Sequence, residues 1–185
     1  MQPTNRRFDL RERTRNAHDT VDRLVGVWKT RADYVDYLRS IHLFRSRYEA
    51  ALDAIVLPAC FRDWSTGQAV PEATRDLADL GVRRLPPVDK AVIDTDISSL
   101  LGTLYVLEGS GLGARLLCQR ALALGLTADS GARHLFLLAG RVDAWRAFGA
   151  ILENAPIYDA GRAVRAAERA FGDAAEAFGG AFADA

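Results

Sequence analysis

The stretch that most constrains this chain is Leu100–Leu117, LLGTLYVLEGSGLGARLL. Its leucines, Leu100, Leu101, Leu104 and Leu107 and then Leu112 and Leu116, recur at helical spacing, which predicts a buried amphipathic helix. Gly109, Gly111 and Gly113 interrupt it. Each glycine costs about 1 kcal/mol against alanine inside a helix. A sequence carries such a loss where the backbone bends or where something approaches it closely. Two readings follow. One is tight packing of helix on helix. The other is a flat ligand lying against a kinked helix.

A chain of 185 residues, 49% of them apolar, suggests one domain spanning 1–185 with a sizeable core. The formal net charge is zero, which gives no electrostatic case for nucleic acid or for an anionic membrane surface. Lys29 and Lys90 are the only lysines, so the positive charge is nearly all arginine, whose planar guanidinium grips carboxylates in bidentate fashion. Cys60 and Cys118 lie far apart and fit no metal-ligand spacing, which points to a reducing, cytoplasmic compartment. The first residues, MQPTNRRFDL, hold no apolar run like that of a signal peptide. No stretch approaches the ~20 unbroken apolar residues of a membrane span.

In chain order, Asp9 is a candidate N-cap for a first helix whose stripe is Leu10, Thr14, Ala17, Val21, Leu24 and Val25, with Gly26 near its end. A second helix is expected over about Arg31–Ala54, closed by Leu57-Pro58. Pro71 suits the first turn of a short helix ending near Gly81. Pro86-Pro87 forces an extended turn. The glycine-bearing helix then runs to about Leu124. Further helices are expected over Ala132–Leu138, Val142–Glu153 and Ala160–Ala183, the last with an apolar row from Val164 through Phe171 to Phe182. No segment alternates with period two for long enough to make a strand. The fold class read from this pattern is all-α, a bundle of six to eight helices.

Of the three histidines, His42 and His134 read as structural. His42 lies between Ile41 and Leu43, and His134 lies beside Arg133 in a loop-like stretch. His18 differs in its company. Arg15 precedes it by one turn and Arg11 by two, on one ridge of the first helix. A neutral imidazole binds iron, and guanidiniums along the same ridge can hold carboxylates. Haem combines an iron with carboxylates at the macrocycle edge, and one axial histidine is a common way to hold it.

These residues carry a resemblance. LRERTRNAH, Leu10–His18, resembles the first-helix signature of haem oxygenases, in which a basic residue, a threonine and a second basic residue precede the proximal histidine. LYVLEGSGLGARLL, Leu104–Leu117, resembles the family's glycine-bearing distal helix, in wording nearest the bacterial branch associated with bacteriophytochromes. WRAFGAILEN, Trp145–Asn154, resembles a later helix whose arginine faces a haem propionate.

The resemblance implies a haem-oxygenase-like bundle that binds haem b as cofactor and substrate. It would use O2 and an external electron donor, such as a ferredoxin or a flavin reductase, to yield biliverdin, carbon monoxide and ferrous iron. A bacteriophytochrome is the implied recipient of the biliverdin. Carried over residue by residue, His18 is the iron ligand and Thr14 belongs to its motif. Arg11, Arg15 and Arg146 are candidates for propionate contact, and Phe171 is the aromatic against the macrocycle. Gly109 and Gly113 are the bare backbone over the haem face. Asp22, one turn after His18, is a candidate support for the imidazole.

There are departures. Ser110 stands where many members carry an aspartate that organises distal water, and Gly111 and Ala114 also differ from the commonest form. Serine can hold a water but brings no charge; the alternative is a helix serine bonded back to the preceding turn. Two rival readings follow: a non-enzymatic haem carrier or sensor on the same fold, and a haem-free helical enzyme or binding protein.

Overall fold

A computed structural model describes residues 5–83 and 85–180, and the fold is all-α. In order come α1 (Arg6–Arg13), α2 (Arg15–Val25), α3 (Arg31–Leu52), a 3-10 turn (Ala59–Phe61), α4 (Val70–Asp79), α5 (Ile97–Ala123), α6 (Arg133–Ala139), α7 (Val142–Asn154) and α8 (Ala160–Phe178).

Side-chain caps set the starts of α1, α3, α5 and α8. Asn5 accepts from the Phe8 amide at 2.9 Å and begins α1, so Asp9 is not the cap but an interior residue 3.5 Å from Arg13. Thr30 and Asp33 form a capping box on α3, and the amides of Lys29 and Thr30 hold the Asp33 carboxyl below its usual range. Asp96 caps α5 through the Ser99 amide at 3.1 Å, and Asp159 caps α8 through the Arg162 amide at 2.9 Å. The last helix ends at Phe178, ahead of Gly179 and Gly180; Phe182 lies outside the described residues.

The expected first helix is two helices. At Thr14 the backbone leaves helical geometry, and the Thr14 hydroxyl donates to the Leu10 carbonyl at 2.7 Å. Such back-bonding bends helices. The glycine-bearing helix shows the opposite: α5 is one uninterrupted helix of 27 residues, so the expected break is not there. None of its glycines has positive φ.

α5 is the central element. It packs on α8, α6 and α7, with Leu100, Leu101, Leu104 and Leu107 buried. Burying a leucine side chain is worth about 1.5–3 kcal/mol. α8 meets it with a face of Ala163, Ala167, Ala170 and Ala174, all buried. The approach is closest at Gly102, where a Cβ would run into the carbonyl oxygen of Ala163. Four residues earlier, Ser98 Oγ accepts from the Asp159 amide at 2.8 Å. The two helices therefore start side by side and run the same way. Among the described residues no helix is long and apolar enough to cross a membrane.

Candidate functional site

α2 is the anomaly in this bundle, because it buries no residue. It packs chiefly on α8 and has little contact with α5, which the α1–α2 pair approaches near its two ends. At the first end Arg7 and Arg11 lie near Tyr105; burial pushes the Tyr105 hydroxyl up, and the two arginines pull it down. At the second end Arg120 donates to the Gly26 carbonyl at 2.7 Å. Gly26 closes α2 at φ 57, a conformation that favours glycine. α8 carries the register across: it meets α5 at Gly102 and Ala163 and meets α2 where Phe171 touches His18. Because α5 and α8 run the same way, His18 falls level with the Gly109–Gly113 stretch, on the other side of a cleft.

The walls of the cleft are open. The His18 side chain is 56% exposed. A Cβ on Gly113 would meet nothing within 4 Å, and one on Gly109 only Trp145, at 4.0 Å. On α5, Leu112 and Leu116 are 47% and 60% exposed, and Leu24 and Val27 at the far end of α2 are exposed too. Apolar side chains uncovered on two facing helices mark a surface built for an apolar ligand.

The glycines thus divide between the two sequence readings. Gly102, inconspicuous in its leucine run, serves helix packing, and Gly111 partly does so, since its Cβ would fall 3.0 Å from the Leu138 carbonyl. Gly109 and Gly113 leave a face bare.

The other expected residues fall in several places. Phe171 on α8 meets His18 edge-on, with ring centroids 5.8 Å apart. His18 Nδ1 lies 3.3 Å from Asp22 Oδ2 and 3.9 Å from Asp19 Oδ1. Thr14 is 2% exposed and donates its hydroxyl to the Leu10 carbonyl, at the joint where α1 gives way to α2. Arg11 and Arg15 are exposed; Arg15 pairs with Glu12. Arg146 pairs with Asp143 at 3.0 Å and lines a separate groove between α1 and α7 with Arg6, Arg7 and Glu153. Its neighbour Trp145 is the one that reaches the cleft. Ser110 donates to the Leu107 carbonyl at 2.7 Å, which is the bond back to the preceding turn.

Behind the bare face lies a buried polar cluster that sequence patterning does not reveal. Arg45, 1% exposed, sets Nε 3.0 Å from Glu49 and donates to the carbonyls of Leu107 (3.2 Å) and Gly67 (2.6 Å). Glu108 accepts from the Thr66 hydroxyl at 3.0 Å and the Gly67 amide at 3.1 Å. Burial pushes the Glu49 carboxyl up, while Arg45 and the amides of Ala69 and Val70 pull it down. A second buried pair joins His134 to Asp76 at 2.8 Å, on α6 and not in a loop. His42 bonds Thr74 at 3.0 Å, consistent with a structural role. Among the described residues no group of three or more histidines, cysteines or acids is placed to hold a metal ion.

No family model matches the chain. It is 32% identical over 163 residues to the haem oxygenase PigA of Pseudomonas aeruginosa, covering 82% of each protein. It is 35% identical over 124 residues to a haem oxygenase of Xanthomonas campestris pv. campestris, covering 65% of this chain and 72% of that one. The crystal structure of the NO- and CO-bound haem oxygenase from Neisseria meningitidis matches with a TM-score of 0.70 at 28% identity, over 98% of this chain and 96% of that one.

Proposed function

The chain belongs to the haem oxygenase family, and from that premise we propose that its cleft takes haem b and opens it. The observation that carries the reading is the uncovered cleft. α2, whose Ala17, Val21 and Val25 are only partly buried against the core, presents an exposed histidine level with a helix face stripped of side chains. The residues fit a flat, largely apolar disc with an iron at its centre.

The protein is an oxidoreductase that cleaves haem. Bound haem supplies the iron that takes up oxygen and the ring that is opened, giving biliverdin, carbon monoxide and ferrous iron with electrons from an external donor. The chain's own residues do the rest. His18 would hold the iron through Nε2, because Nδ1 faces Asp22, and a carboxylate on the far nitrogen orients a ligating ring. Phe171 steadies the imidazole edge-on. Gly109 and Gly113 let the backbone of α5 close on the haem with no side chain between. Leu112, Leu116 and Leu24 exclude water from its apolar edge. Arg11 and Arg15 reach for the propionates, and Arg146 does so from the neighbouring groove. Ser110 keeps its lone pairs free to accept from a water on the distal side.

The electron donor we assign is a small redox protein such as a ferredoxin, or a flavin reductase. The likeness of Leu104–Leu117 to the bacteriophytochrome-associated branch supports a bacteriophytochrome as the recipient of biliverdin. Free thiols at Cys60 and Cys118 support a cytoplasmic protein.

The test is optical. Haem added to the protein should give a Soret band, and ascorbate or a ferredoxin couple in air should bleach it as the biliverdin band grows. A Soret band that persists under reductant would make the protein a haem carrier, and no Soret band at all would remove haem from the account.

A further inference from the structure

The Leu107 carbonyl is oversubscribed. It lies inside α5, where the amide of Gly111 four residues on is its helical donor. Ser110 Oγ donates to it at 2.7 Å, and Arg45 Nη1 donates to it from α3 at 3.2 Å. Three donors converge on an oxygen with two lone pairs. The amide is fixed by the helix. Arg45 is fixed by its hydrogen bond to the Gly67 carbonyl at 2.6 Å, by its ion pair with Glu49 at 3.0 Å and by near-complete burial. The Ser110 hydroxyl is the one donor free to turn away, by rotation about a single bond.

Stability alone does not account for Arg45. A buried ion pair is commonly matched or bettered by apolar residues of similar volume, so its presence points to a geometric duty. Here the guanidinium stands directly behind the Gly109–Gly113 face. At 100° per residue, Ser110 sits on the flank between that bare face and the buried face of Leu107 and Ala114.

Resting on the assignment of α5 as the wall over haem, we propose that Arg45 is a positioning residue of the reaction: by occupying the Leu107 carbonyl it releases the Ser110 hydroxyl to donate into the cleft. Ser110 thereby becomes a switchable donor, held in the helix or turned to the distal side, in place of a fixed carboxylate. Arg45 touches neither haem nor water itself.

The test uses haem-loaded protein in four forms: wild type, Arg45→Met, Ser110→Ala and the double variant. Two readouts are taken, the ring-opening rate per bound haem and the pH of the ferric haem's acid–alkaline colour change. Without Arg45, the serine hydroxyl settles on Leu107 and is lost to the cleft. Arg45→Met should therefore reproduce Ser110→Ala. Each should slow ring opening by about 100-fold or more, within what a proton-relay group contributes. Both should move the colour change in the same direction, and the double variant should be no slower than either single one, a full coupling in the mutant cycle. The proposal is overturned if Ser110→Ala is silent, if Arg45→Met keeps both wild-type values, or if the two losses multiply. Should Arg45→Met fail to give native helical circular dichroism, Arg45→Lys takes its place under the same criteria; its amine keeps the buried charge but loses the two-armed grip. The colour change needs no turnover, so a wild type that fails to open haem would sink the functional reading while still reading out the coupling of Arg45 to Ser110.

Discussion

His18 stands on an exposed helix with an acid on one side and an aromatic edge on the other, an arrangement that orders an imidazole without burying it. His18→Ala should leave the cleft intact, since the side chain is mostly exposed and its one aromatic contact is an edge-on meeting with Phe171. Haem should still enter, with a shifted Soret band and ring opening reduced to a small fraction, and added imidazole should restore part of the wild-type spectrum. An unchanged spectrum would exclude His18 as the ligand. His18 and Arg15 are legible in the sequence because they lie on one helix, where spacing fixes the face; Arg11 belongs to α1, across the joint at Thr14, so the three do not form one helical ridge. Arg45, Glu49 and Glu108 are not. An arginine and a glutamate four apart read as a solvated helix pair, and only tertiary packing shows them buried. His134 escapes for the same reason, since its partner Asp76 is distant in sequence.

α5 does two jobs along one continuous helix, and its glycines separate them. Gly102 is where α8 comes closest, so Gly102→Ala forces the helices apart. Overpacking of this kind costs about 1–3 kcal/mol, a fall in melting temperature of about 2–12 °C in a protein of this length. Gly113→Ala should do the reverse. Its Cβ meets nothing, so the haem-free protein gains up to about 1 kcal/mol of helix propensity, while haem binding weakens because the added methyl occupies the bare face. Haem titration and thermal melts of both variants check this; a Gly113→Ala protein with wild-type haem affinity would mean that nothing lies on that face. At this scale the helices were largely legible, since caps and apolar periodicity are local. The joint at Thr14 was not, because the apolar stripe runs through it unbroken. Nor was the continuity of α5 through its glycines, because a glycine cluster that marks a break and one that marks a bare surface read alike.

Across the whole molecule, two buried groups answer to pH with opposite signs. Burial pushes the His134 imidazole below its ordinary range, against the pull of Asp76. A base whose pKa folding lowers is protonated more readily in the unfolded chain. Its contribution is therefore complete above the unfolded value, about 6.5, and is lost as the pH falls through it. Glu49, pushed up by burial, works the other way at more acid pH. The difference in melting temperature between wild type and His134→Gln isolates the first term. It should shrink between about pH 7.5 and about pH 5.5; a constant difference would mean that His134 does not titrate with unfolding. The helix that buries nothing has its own consequence. With haem in place, α2 and the open leucines of α5 acquire the apolar partner that the chain does not supply, so the substrate completes the core. At a hundredfold excess over its dissociation constant, such a ligand adds about 2.7 kcal/mol to stability. Catalysis then dismantles the reinforcement it depends on. Opening the macrocycle turns a rigid plate into a flexible chain, so haem should raise the melting temperature of the protein more than biliverdin does; equal shifts would mean that the product fills the cleft as well as the substrate.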